Sequence, residues 1–96
     1  MNVLFHPDAE LEFNEAIGYY EAIENGLGYD FSLEIAATLA RVVAFPKAWP
    51  TIEGEIRRAL ARRFPYGILY AEDEDNVSVV AVMHLHRDPT YWKYRI

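Results

Sequence analysis

The chain has 96 residues, 52% of them apolar and 25% charged, which is one domain's worth of sequence with enough apolar material for a core. It has no cysteine, so disulfides, zinc–thiolate sites and a thiol nucleophile are excluded. The formal net charge of −6 argues against indiscriminate nucleic-acid affinity over the whole surface.

In chain order, Asn2–Phe5 is a short apolar strand stopped by His6-Pro7. Pro7 and Asp8 suit the first turn of a helix, and Ala9, Phe13, Ala16, Ile17, Tyr20 and Ile23 then recur at spacings of three and four. The opposite face holds Glu10, Glu15, Glu21 and Glu24 and reads as solvated. Asn25-Gly26-Leu27-Gly28 ends this helix, and a second runs from about Tyr29 to Phe45 with Phe31, Ile35, Leu39 and Val42 as its stripe. So short a turn implies an antiparallel hairpin. Pro46 and Pro50 open a loop, PKAWPTIEGE, in which Trp49 needs a packing partner.

From Ile56 the pattern changes to strands. IRRALARRF alternates around Leu60, Pro65-Tyr66-Gly67 leads into ILYAED, and Glu72-Asp73-Glu74-Asp75-Asn76 is a hairpin turn. VSVVAVMHL is a near-continuous apolar run, as in a strand covered on both faces. Asp88-Pro89 gives a further turn, leaving room for a short C-terminal helical turn. The expectation is a single α+β domain over residues 1–96, β-α-α-β-β-β, with the helical hairpin on one face of an antiparallel sheet. No apolar stretch approaches the roughly 20 residues that cross a bilayer. The segment MNVLFHPDAE lacks the basic-then-apolar pattern of a secretory signal, so a cytoplasmic location is expected.

Charge is unevenly distributed. Residues 1–40 carry eight acids and no Lys or Arg; residues 41–96 carry all nine basic residues against seven acids, so the two parts stand at −8 and +2. Such a chain can present a basic face, or its acids and arginines can neutralise each other in the fold. Arg57, Arg58, Arg62 and Arg63 form the strongest cluster, and on one strand 57 and 63 would face opposite to 58 and 62. Their planar forks suit phosphate or carboxylate. His84 and His86, two apart, would share one side of a strand and could supply two metal ligands. A third, from His6 or an acid, has no support in the sequence, so no metal and no cofactor is expected. Tyr91, Trp92 and Tyr94 can stack on a ligand or pack the tail onto the sheet. No phosphate-cradling glycine loop, HExxH or nucleophile elbow occurs.

Four segments, AIGYYE, GLGYDF, RRALARRFPYGILY and VVAVMHLHRDPTYWKYR, appear in an order that resembles the RelE/ParE superfamily of bacterial toxins. The resemblance covers nearly the whole chain. It implies a RelE-like fold and the toxin role in a type II toxin–antitoxin, or plasmid-stabilisation, system that inhibits growth. It also implies a cognate antitoxin as partner, no membrane partner, and a homodimer or toxin–antitoxin heterotetramer. RelE-like members cut mRNA on the ribosome without metal, and ParE-like members poison DNA gyrase. In the RelE-like case the resemblance implies Arg58, His86, Arg87 and Tyr91 as catalytic. Surfaces for antitoxin or target would use Arg57, Arg58, Arg62, Arg63, Trp92 and Tyr94. Of the nuclease pattern, Arg58 matches one basic position, but the next falls on Leu60 and the third-strand arginine falls on Gly67. With two cations missing, the ParE-like branch is favoured, with the mRNA interferase as alternative and a non-toxic, antitoxin-binding relative as a third reading.

Overall fold

The computed structural model describes every residue from Met1 to Ile96. Strand β1 (Asn2–Phe5) leads into helix α1 (Pro7–Ile23) and helix α2 (Leu27–Ala44). Four strands follow, β2 (Thr51–Glu53), β3 (Ile56–Leu60), β4 (Tyr66–Glu72) and β5 (Asn76–His84), and then a 3-10 turn at Lys93–Arg95. The sheet order is β1-β5-β4-β3-β2. Strands β2 to β5 form an antiparallel meander, whereas β1 lies parallel to β5. The sheet is therefore mixed and has one strand more than the sequence pattern indicated. Thr51-Ile52-Glu53 lies within the expected loop yet forms β2; it is exposed throughout and its pairing slips between Thr51 and Glu53, so no alternation marks it. No helix is long and apolar enough to cross a membrane.

The helices begin and meet for identifiable reasons. His6 caps α1: its Nδ1 accepts the Asp8 N–H at 3.1 Å, and Pro7 occupies the first turn. Gly26, at φ 88°, makes the left-handed turn between the helices, and α2 starts at Leu27, two residues before the expected Tyr29. A Cβ on Gly28 would lie 2.5 Å from the Ile17 carbonyl oxygen, so only glycine lets the helices approach this closely. Glu21 is not simply solvated as its face suggested. Its carboxylate accepts the N–H groups of Gly26 at 2.9 Å and Gly28 at 3.0 Å, capping α2 from the neighbouring helix.

Each sheet face has its own cover. Toward the helices, Ala59, Ile68, Tyr70, Val77, Val79 and Val82 pack on Ala9, Ala16, Phe31, Ile35 and Val42, with Trp49 at the margin. Ile23, expected in the α1 stripe, is instead 60% exposed as the last residue of the helix. On the far face Ile56, Leu69, Val80, Ala81 and Met83 are covered by Trp92 from the C-terminal tail. That double cover explains the unbroken apolar run of β5. The pairing of β4 with β5 shifts by one residue between Leu69 and Tyr70, leaving Val80 as the extra residue of a bulge.

Candidate functional site

Two groups of cations emerge from the fold, and they differ in what surrounds them. The first is built around Glu12. Ala9, Phe13 and Ala16 place its position on the inward edge of α1, and its side chain is only 11% exposed. Arg95 meets it in a bidentate pair, Nη1 to Oε1 at 2.7 Å and Nη2 to Oε2 at 3.2 Å, with the Arg95 side chain 4% exposed. Arg87 Nη1 reaches Oε2 at 3.2 Å, and the Tyr91 hydroxyl donates to the same oxygen at 2.5 Å. The Arg87 guanidinium lies over the Tyr91 ring, 3.6 Å from its centroid.

The electrostatics follow from this crowding. Burial raises the Tyr91 pKa, and the hydrogen bond and charge of Glu12 raise it further. Burial works against the charged Arg95, but its hydrogen bonds to Glu12 and Tyr94 prevail and its pKa is raised. The Tyr66 phenol is also pushed up, chiefly by burial and then by Tyr20, with Glu12 adding and Arg87 opposing. A carboxylate satisfied by two guanidiniums and a phenol is a stable internal assembly. Arg87 shares this carboxylate with Arg95, so it is held in place while its side chain stays 52% exposed and the three charges together keep a net positive one.

The second group lies where β3 ends, β4 begins and β5 leaves the sheet. Leu60 pairs with Gly67, Tyr66 with His84, and the Leu85 N–H donates to the Pro65 carbonyl at 2.9 Å. A Cβ added at Gly67 would stand 3.3 Å from a Leu85 methyl and 3.4 Å from the Arg58 stem. The vacancy is thus filled by Arg58 and Leu85, which lean over the glycine. Arg58 and Arg62 are exposed and make no side-chain hydrogen bond or ion pair, and Leu60 and Leu85 are exposed beside them at 48% and 37%. Phe64, at φ 72°, holds the bend after Arg62 while its ring packs on Tyr20 and Phe31.

The remaining expected residues fall outside this pair of free cations. Arg62 and Arg63, expected on the strand, lie instead in the bend that follows, because β3 stops at Leu60. Arg63 pairs with Asp30 at 3.5 Å, and its N–H donates to Glu34. Arg57 donates to the carbonyls of Trp49 at 2.5 Å and Lys47 at 3.3 Å, so it ties down the loop before β2. Trp92 is 1% exposed, with its indole N–H on the Pro89 carbonyl at 2.7 Å, and packs the sheet. Tyr94 is exposed but bonds Asp8 through its hydroxyl.

His84 ends β5 and His86 belongs to the next turn, so the two do not share a strand face. Their rings are 5.1 Å apart, the His86 N–H donates to His84 Nδ1 at 3.1 Å, and no group of three potential metal ligands forms anywhere. The sequence reading missed Glu12 and Arg95. The signal was present: an acid at helical spacing within the stripe Ala9, Phe13, Ala16 must be buried, and a buried carboxylate requires a cation.

No family model and no curated protein matches the sequence. Among solved structures, a chain of the "Chromosomal ParDE TA system from P. aeruginosa" is similar, with a TM-score of 0.63 and 11% identity. The match covers 90% of this chain and 97% of that one. Over nearly its whole length, then, this chain has the ParE/RelE-like α+β fold.

Proposed function

We propose that this chain is the toxin component of a type II toxin–antitoxin pair, ParE-like, acting in the cytoplasm on DNA gyrase and silenced by a cognate antitoxin. The observation that carries the reading is the open sheet end: uncommitted Arg58 and Arg62 beside exposed Leu60 and Leu85, on a fold shared with a ParDE chain. Apolar side chains flanked by guanidiniums suit an acidic, amphipathic protein segment. The antitoxin covers Leu60 and Leu85 and meets Arg58 and Arg62 with carboxylates.

The state of the nuclease positions supports the ParE-like branch over mRNA cleavage. Stabilising charge on a transferring phosphoryl group takes positioned cations, each contributing about 3 kcal/mol. Here Leu60 and Gly67 supply none, and Arg87 is drawn toward Glu12 at 3.2 Å. Only Arg58 remains free among the matched basic positions, near the sheet end occupied by His86.

Induced expression tests the reading. The expected result is growth arrest with an SOS response and intact transcripts, and inhibition of DNA supercoiling by purified gyrase in the presence of the protein. Transcripts cut in a ribosome-dependent way, with supercoiling untouched, would assign the mRNA-interferase branch instead. No arrest at all would leave a non-toxic antitoxin binder. For the antitoxin surface, Arg58→Glu with Arg62→Glu is expected to weaken the complex at least about tenfold; undiminished affinity would reject that surface.

A further inference from the structure

Strand β5 is paired with β1 only as far as Val79, which lies opposite Phe5. Beyond that point two side chains stand where a neighbouring strand would be. Glu12 accepts the Val82 N–H at 3.2 Å, and Arg95 donates to the Val80 carbonyl at 3.1 Å. An acceptor and a donor set against alternate residues are what a paired strand would present to this edge. Because Glu12 and Arg95 also bond each other, the surrogate is a single rigid piece.

The same carboxylate anchors the chain that follows β5. Arg87, Tyr91 and Arg95 all end on Glu12, and Tyr94 and Arg95 reach the neighbouring Asp8. Arg95 Nε stands 3.9 Å from the Asp8 carboxylate, so that second tie is looser. Trp92 supplies the apolar hold on the far face.

We propose that residues 85–96 form a strap closing the otherwise free edge of β5, with Glu12 as its latch. One carboxylate holds three side chains of the strap, so its loss unties them together. Arg87 then loses its one carboxylate partner, and the Val80–Val82 edge opens to another extended chain. While latched, that edge is closed by one side chain of α1 and one of the strap. The inference is independent of the toxin reading, since it concerns only how the tail is held.

Amide hydrogen exchange on the full chain tests it. Glu12→Gln is expected to speed exchange at Val82 and through residues 85–96 by about tenfold or more, with α2, β3 and β4 still protected. Unchanged exchange in the strap overturns the proposal. Should Glu12→Gln lose protection everywhere, the double variant Arg87→Gln, Tyr91→Phe decides, because it leaves the Glu12–Arg95 pair in place. Faster exchange confined to residues 85–92 then supports the latch, and unchanged or chain-wide exchange overturns it.

Discussion

Arg95 and Arg58 carry the same group and serve opposite ends. Arg95 is 4% exposed and fully engaged by Glu12, Tyr94 and the Val80 carbonyl. Arg58 is exposed and touches its surroundings only with its aliphatic stem over Gly67. Four of the five ion pairs, those of Arg63, Arg87 and Arg95, connect the acidic first 40 residues to the basic remainder. These pairs engage three of the nine basic residues, so only part of the polarised charge is neutralised inside the molecule. The two arginines whose side chains have no hydrogen-bond or ion-pair partner, Arg58 and Arg62, lie together at one end of the sheet, whereas Lys47, also unpaired, lies apart in the loop before β2. The comparison teaches that a cation's availability depends on its carboxylate neighbours, and net charge hides this.

The contrast can be broken most severely at Glu12. Glu12→Ala leaves the buried Arg95 without its main partner and is expected to cost about 3–5 kcal/mol in a urea unfolding experiment. Arg57 lies between the two groups, engaged but by backbone carbonyls that water can reach. Arg57→Ala is expected to cost about 1 kcal/mol by the same measurement. Arg58→Ala and Arg62→Ala should change stability by no more than about 0.5 kcal/mol while weakening antitoxin binding, measured by titration calorimetry. A large stability loss at either would remove the distinction between engaged and free cations.

Two pH effects sharpen the picture further. The Tyr91 pKa is raised in the folded state, first by burial and then by Glu12. Its contribution is therefore fully present below the ordinary phenol value of about 10 and is lost as pH rises through the folded value. Tyr91→Phe is expected to reduce the alkaline loss of stability followed by the urea midpoint. It should not abolish it, because burial also raises Tyr20, Tyr66 and Tyr70. The smallest effect concerns Asp88, whose pKa is lowered by the Thr90 backbone N–H and then by the Thr90 hydroxyl. That contribution is present above the ordinary aspartate value of about 3.9 and is lost as pH falls through the folded one. Asp88→Asn should flatten the acid limb slightly, and an unchanged limb would mean that the turn after Arg87 adds nothing.

Much of the architecture was readable because it is written at short range. The stripe from Ala9 to Tyr20, the glycines between the helices, the acidic turn at Glu72–Asn76 and the valine-rich β5 each follow from neighbours within a few residues. Strand β2 was not, since three exposed residues with an irregular register carry no pattern. The direction of β1 was not either: it is set against β5, more than 70 residues away, and four apolar residues do not encode a partner. For the site, the arginine cluster was visible as composition, but its division into engaged and free members was not. Arg62 and Arg63 looked equivalent until the bend after Leu60 brought Arg63 to Asp30 and Glu34.

The sequence by itself determined the helical hairpin, the doubly covered strand and the presence of many arginines opposite an acidic half. Periodicity and turn chemistry act between residues close in the chain, so these features needed no fold to be seen. The tertiary structure alone decided that Glu12 gathers Arg87, Tyr91 and Arg95 from 75 to 83 residues away, and that Arg58 and Arg62 stay open. Charge pairing falls off over a few ångströms, and only packing determines which charges come that near.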